Sequence, residues 1–511
     1  MSTHNMSAKN ISHFKKRPLA QIMAVAFSLT AGLVSNSANA QATPLPCDIT
    51  GPVTTTVNIV NNANCAITAS GNLTNNNYLY NNHTLTNNGT LTNNYLLYNN
   101  HNGTLTNDGT LTNNGALYNN DTLTNNGTLT TDGGLFNSGT LTNDGTLTNQ
   151  SNGYLINSDT LTNNDTLTNQ SDGYLQNDDT LTNNGTLTND GTLYNSHTLT
   201  NTGDLYNDGD LYNDGTLTNN YFLKNDGDLY NNGTLTNVGG LFNYGTLTNQ
   251  SGGTLANHDR MYTDGTLTNY GTLTNDFIIT NIAEFTNSGT FDISATGRLR
   301  SNDPTASFTQ TTGNTIVNGS IEGTGTIDIQ GGDLSGTGTI EAAGGITIGA
   351  SATVNAGGDT SLGTLIMMSE VDLFGTLNTQ IDSIGLYDVL EVQSTVTLSD
   401  ISTFDFTFDG FMAEDGDSFA FLSAIDFDFG AGMGRHNFDV MGLTAGFGWS
   451  VSFVDNFADQ SMMSYLSLDL IDNRVGNTPV SAPATLALFG LALPLMGWLS
   501  RRRTKLRAPA A

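Results

Sequence analysis

GTLTND-GTLTNN-GALYNN-DTLTNN-GTLTTD-GGLFNS-GTLTND-GTLTNQ, residues Gly103–Gln150, is the stretch that decides the fold. Leucine recurs every six positions, at Leu105, Leu111, Leu117, Leu123, Leu129, Leu135, Leu141 and Leu147. An amphipathic helix repeats its apolar positions at 3.6, so a strict period of six excludes it. Thr-Leu-Thr is strand chemistry, an apolar residue alternating with β-branched ones. The Asn-Asn-Gly and Asn-Asp-Gly that follow are turn chemistry, because Asn and Gly tolerate positive φ. Each hexad therefore reads as one short strand and one corner.

Outward from this stretch the repeat runs from Leu73 to Leu299, thirty-seven hexads in all. Five steps are eight residues long, before Leu105, Leu155, Leu175, Leu255 and Leu299. A slower rhythm is superimposed. The residue after Leu is usually Thr, but it is aromatic at Tyr80, Tyr98, Tyr118, Phe136, Tyr194, Tyr212 and Tyr230, three hexads apart once Ile156 and Gln176 are counted in the series. Three hexads make an eighteen-residue coil, which predicts an all-β, three-sided parallel β-helix. About twelve coils at ~4.8 Å each give a prism ~55–60 Å long. The period resembles that of the left-handed hexapeptide β-helix, but here Asn stands two places after Leu, which leaves the handedness open.

That Asn (Asn75, Asn81, Asn87, Asn93, Asn99 and onward) lies on the same side of the strand as Leu. A buried amide needs a partner, and stacked identical coils supply one, so these residues are expected to form ladders along the corners. Cys47 and Cys65 are eighteen residues apart, one coil. They are expected to stack within disulfide reach and staple the N-terminal end. Two free thiols or a metal pair are the alternatives, and no His or further Cys completes a metal site.

Only 12% of residues are charged and the formal net charge is −31. The basic cluster Lys15-Lys16-Arg17, an apolar run from Leu19 to Val34 and the small residues Ala38-Asn39-Ala40 read as a secretory signal cleaved after Ala40. At the other end, Val480-Ser481-Ala482-Pro483 precedes an apolar stretch, Ala484 to Leu499, and Arg501-Arg502-Arg503. The stretch is short for a transmembrane helix, which wants ~20 residues, and the basic cluster would stay cytoplasmic. This tripartite tail resembles the PEP-CTERM sorting signal of Gram-negative bacteria, with VSAP where that family carries V-P-E-P. The resemblance implies an exosortase as a processing partner and an exported, surface or extracellular-matrix destination. Without both ends, six basic residues face all 46 acidic ones, six minus 46 or −40. Such a surface repels nucleic acid and anionic membranes.

Sorting the hexads into three faces isolates the candidate functional residues. One face has Thr on both sides of Leu in nine successive coils: Thr84 and Thr86, Thr104 and Thr106, Thr122 and Thr124, Thr140 and Thr142, Thr160 and Thr162, Thr180 and Thr182, Thr198 and Thr200, Thr216 and Thr218, Thr234 and Thr236. Two Thr columns ~7 Å apart with ~4.8 Å steps resemble the ice-binding faces of antifreeze β-solenoids. A second face carries the same pairs for six coils, Thr90 and Thr92 to Thr186 and Thr188, which is what a default hexad would give after duplication. The aromatic column from Tyr80 to Tyr230 could stack on sugar rings or mediate side-by-side association, although aromatic residues also simply suit exposed strands. Turn aspartates (Asp208, Asp210, Asp214, Asp226 and Asp228) offer a weak site for Ca²⁺. No other cofactor is implied.

The expected organisation is a signal peptide (1–40), an N-terminal cap (41–72), the hexapeptide solenoid (73–300), degenerate coils (301–363), a β-rich capping domain (364–476) and the sorting tail with its transmembrane helix (477–511). In the capping region, Tyr387-Asp388-Val389-Leu390-Glu391-Val392, Gly416-Asp417-Ser418-Phe419 and Trp449-Ser450-Val451 resemble the C-terminal ends of autotransporter and filamentous-haemagglutinin-type adhesin passengers. There, terminal strands close the solenoid and protect its open edge. Past the expected signal peptide, five His (His83, His101, His197, His258 and His436) are scattered without metal spacing, and no nucleophile-base pair can be assembled. Polysaccharide lyases use β-helices too, but only Lys224, Arg260, Arg298 and Arg300 interrupt this repeat with positive charge. The sequence points to a non-enzymatic structural or adhesive protein, one whose partner could be exopolysaccharide or another surface, with ice binding as the alternative.

Overall fold

The structure, a computed structural model, describes residues 42–358, 361–430, 436–455 and 463–473. The expected signal peptide, sorting motif and transmembrane helix lie outside the described residues. Among the described residues there is no helix, and 57 strands join in one continuous β-solenoid sheet.

The hexad sets the local geometry. Each strand of the repeat, for example Thr160–Asn163, is four residues long, with the Leu and Asn side chains buried and the two flanking side chains turned outward. Pairing is parallel and in register. Leu105 stands between Leu85 behind it and Leu123 ahead, and each Asn, Thr and Leu meets its own kind. Each strand bonds to the third strand before and the third after it, so a coil has three sides, as the eighteen-residue rhythm predicts. Face I holds strands Thr84–Asn87 to Thr234–Asn237, face II begins at Thr90–Asn93 and face III at Tyr78–Asn81. The eight-residue steps are absorbed at corners, where Asn102, Asn152 and Asp172 take φ of 70°, 66° and 62°. Asn and Asp tolerate this left-handed region better than other side chains, and the extra residues loop out while the ladder keeps its register.

The corner Asn residues form the expected ladders. On face III, Asn81 Nδ2 donates to Asn99 Oδ1 at 2.7 Å and also to the Thr104 carbonyl at 3.0 Å. From Asn61 to Asn287 this column is unbroken, with every N···O distance 2.7–2.8 Å. The amide thus spends one N–H on the next coil's side chain and the other on backbone. A buried polar group with both demands met adds specificity of register without the desolvation penalty of an orphan.

About 17 turns are stacked, more than the twelve the hexads supply, and at ~4.8 Å per turn the prism is ~80 Å long. The added coils lie at both ends. Pro52–Thr55, Ile59–Asn61 and Cys65–Ile67 pair in parallel with Asn72–Asn75, Tyr78–Asn81 and Thr84–Asn87. Residues 52–67 therefore carry the first coils of the solenoid. Val53, Ile59 and Cys65 stand in the leucine positions, apolar enough to fill the core but outside the hexad spelling. Cys47 and Cys65 are disulfide-bonded, with their Cα atoms 4.4 Å apart.

At the other end, parallel pairing crosses residue 363 without a break. Thr364–Met367 pairs with Val389–Leu398, which pairs with Ser418–Asp428, and Thr376–Ser383 pairs with Thr403–Phe408, then Asn437–Met441. Among the described residues, antiparallel pairing is confined to a small hairpin at Ile381–Tyr387 and to Ser464–Asp472, which lies against Ser418–Asp428 and Phe447–Val454. Closure of the stack is thus the work of its last strands. From residue 364 on, Phe replaces Leu and the strands lengthen, so the period of six disappears while the coil does not.

Candidate functional surfaces

The paired threonines of face I run in register through nine coils. Strand alternation turns both outward, where most are half-buried against the neighbouring coils and Thr140 and Thr216 are exposed. The array is not uniform in its hydrogen bonding. Thr122, Thr160 and Thr180 donate to Asp121, Asp159 and Asp179 at the adjoining corner, each at 3.1 Å. Face II repeats the Thr pairs from Thr90 and Thr92 to Thr186 and Thr188 and then changes to Asp204 and Tyr206.

The aromatic column of face III is assembled as the three-hexad rhythm predicts, and its geometry says what it can do. Tyr80, Tyr98, Tyr118 and Phe136 stack with centroids 5.5, 4.9 and 4.9 Å apart and interplanar angles of 10°, 10° and 17°. Tyr212 and Tyr230 stack in the same way, 5.1 Å and 11°. Rings piled along the solenoid cover one another's faces and leave edges to solvent, so they act as an outer ladder, the apolar counterpart of the Asn columns. Burial, with neighbouring tyrosines or Asp228 adding to it, pushes the Tyr98 and Tyr230 hydroxyls up to about 12.

A second aromatic set was not found by sequence reasoning. On face II, Tyr206, Phe222, Phe242 and Tyr262 follow one another with centroids 5.6, 5.3 and 6.3 Å apart, tilted by 56°, 34° and 45°. These rings do not close over each other. The same face takes all four Lys and Arg among the described residues: Lys224, Arg260, Arg298 and Arg300. Counting only the residue after Leu hides this, because Phe222, Arg260 and Arg298 precede their core residue. Assigning both outward positions of each hexad to a face would have exposed it.

Of the aspartates read as turn residues, Asp208, Asp214 and Asp226 sit at corners, whereas Asp210 and Asp228 open paired strands of face III. Burial raises Asp208 above the ordinary carboxylate range, with Asp226 and Asp190 adding to it, and burial followed by Asp228 does the same to Asp210. Asp214 accepts from the Tyr194 hydroxyl and from Asn232, and Asp226 pairs with Lys224. Among the described residues no group of three or more His, Cys, Asp or Glu side chains is placed to hold a metal ion. Val480, Ser481, Ala482, Pro483, Arg501, Arg502 and Arg503 lie outside the described residues.

With these surfaces defined, the chain was compared with known proteins. A scan against protein-family models and a search of the curated proteins both return no match.

Proposed function

We propose that this is a non-enzymatic structural or adhesive protein, exported and displayed at the surface or in the extracellular matrix of a Gram-negative-type bacterium. The observation that carries the reading is the long solenoid whose outer faces are columns of one repeated residue. Such a surface offers an extended, multivalent contact and not a convergent pocket. The N-terminal leader and the VSAP-apolar-RRR tail support export and sorting, with an exosortase-like enzyme as processing partner. A solenoid passenger of the adhesin type accords with the same picture. The test is fractionation of producing cells. The intact chain should reach the cell surface or medium, and a chain ending at Gly476 should no longer be retained at the membrane. Recovery of the intact chain in the cytoplasm would refute the reading.

A second reading, ice binding, is favoured by one observation: the face I Thr pairs stay in register through nine coils. The Asp-bound hydroxyls of Thr122, Thr160 and Thr180 weigh against it. Changing Thr142 and Thr162 to Lys should abolish thermal hysteresis if face I binds ice; a parent protein with no hysteresis removes this reading.

A further inference from the structure

Among the described residues every Lys and Arg side chain lies on face II. In five consecutive coils of face II, from Phe222–Asn225 to Arg298–Ser301, the ten outward strand positions hold four cations and no carboxylate. The stretch is bounded by Asp204 in the coil before and Glu322 in the coil after. The chain as a whole carries −31, so this is a basic island in an acidic surface. Arg298 and Arg300 are 57% and 47% exposed and stand only loosely against Glu322, at 3.9 and 3.8 Å. Arg260 is exposed, and none of the ion pairs among the described residues includes it.

Aromatic rings interleave these cations. Phe222 shares its strand with Lys224 and Tyr262 shares its strand with Arg260, Phe242 occupies the coil between them, and their mutual tilts of 34° and 45° leave parts of the ring faces open. Tyr221 and Tyr244, 61% and 44% exposed, flank the island at its two corners. We propose that this part of face II binds an extended acidic polysaccharide, laid along the solenoid axis. The assignment rests on the surface-matrix reading above and names its ligand class.

The spacing selects for that class. Arg260 and Arg298 stand in one outward column two coils apart, roughly 9–10 Å, while Arg300 and Lys224, the latter paired with Asp226, stand in the other. That step suits an extended uronic-acid chain in which alternate sugars turn their carboxylates toward the protein, each coil advancing about as far as one sugar. Guanidinium forks match carboxylates bidentately, and the C–H faces of the intervening sugars pack on the rings. Duplex DNA, with a charge every ~1.7 Å, would bring far more negative charge than four cations can meet against an acidic background.

The experiment uses the intact purified protein with polygalacturonate oligosaccharides as probe, cello-oligosaccharides as neutral control and duplex DNA as competing polyanion, followed by calorimetry. Saturable binding of the polyuronate is expected, weakening with added salt. The double variant Arg260→Gln and Arg298→Gln should weaken it at least tenfold with an unchanged circular dichroism spectrum, and Thr142→Gln on face I should leave it intact. No binding, equal binding of the neutral glycan, tighter binding of DNA, or indifference to the double variant would overturn the assignment. A protein that reaches the cell surface yet binds no polyuronate overturns this assignment alone. A protein retained in the cytoplasm overturns the reading beneath it.

Discussion

Between Thr84 and Asn275 the coils are narrow, and between Thr326 and Asp428 they are wide, although one parallel ladder runs through both. In the narrow part every strand has four residues and the interior is Leu, with Met261 the exception, and the corners carry Asn except at Thr131 and Thr263. In the wide part strands reach 11 residues and Phe404, Phe406, Phe419 and Phe421 fill the interior. The corner columns change character in between. Asn275 pairs with Ile293, which pairs with Val317, and Asn287 pairs with Gln310, which pairs with Ile329. Thr326–Gly336 crosses its corner as a single strand, pairing with the strands on both sides of it. A tight corner needs a side-chain amide to satisfy backbone carbonyls. A strand that bends round the corner keeps its pairing on either side, and the freed position turns apolar. The same architecture is held by polar order in one half and by apolar volume in the other.

That contrast can be broken at its polar end first. Asn163 Nδ2 donates to Asn183 Oδ1, the Thr186 carbonyl and the Asp165 carbonyl at 2.7, 2.9 and 3.2 Å. Asn163→Asp would set a buried charge against those acceptors and cost about 3–5 kcal/mol. Urea denaturation should show the loss at pH 7 and a smaller one at pH 4, where the carboxyl regains a proton to donate. Equal losses at both would undo the ladder account. At the apolar end, Phe404→Ala removes a fully buried ring packed on Phe421 and Phe438 and should cost about 3–4 kcal/mol at either pH. A strong pH dependence there would blur the distinction.

The wide coils have their own titrating group. Asp388 is buried and accepts from the Gly363 and Gln380 N–H groups, both at 3.0 Å, and burial raises its carboxyl to about 6. The native state therefore holds this proton more tightly than the unfolded chain, whose Asp titrates near ~3.9. Its contribution is fully present below pH ~4 and is lost as pH rises through about 6. Hydrogen exchange of Thr376–Ser383 should quicken over that range and flatten in Asp388→Asn, while Thr160–Asn163 stays unaffected by the substitution. Slower exchange with rising pH, after correction for intrinsic rates, would contradict the assignment.

The smallest effect has the opposite sign. On face II Asn113 Nδ2 donates to Thr131 Oγ1 at 2.9 Å, and the next coil's Asn149 Oδ1 has no hydrogen-bond partner. Thr131 is a gap in the amide column. Thr131→Asn should close it and stabilise the narrow coils by about 1 kcal/mol, seen as a higher melting temperature. No gain would mean that the column's continuity is unimportant at this corner.

Most of the narrow solenoid was legible because it is periodic. Leu105, Asn107 and Thr106 each announce their direction through strand alternation, and the Tyr80 to Tyr230 rhythm discloses the number of sides. The end coils were not legible. Val53, Ile59 and Cys65 fill leucine positions without spelling a hexad, and Phe404 and Phe406 replace the period of six by plain strand alternation. The aromatic column of face III was read, but its consequence was not, since ring tilt depends on how the neighbouring coil packs. The cations of face II were named together as interruptions of the repeat, but not placed on one face.

Sequence alone determined that the chain coils, how many residues a turn takes, and which side chains point in. Strand alternation is local, and a strict repeat makes it cumulative. Only the stacked structure decided which outward residues become neighbours. Lys224, Arg260, Arg298 and Arg300 are far apart along the chain and meet on one face through parallel pairing at a constant register. The sequence shows each residue's direction, and the long-range hydrogen bonds between coils determine its company.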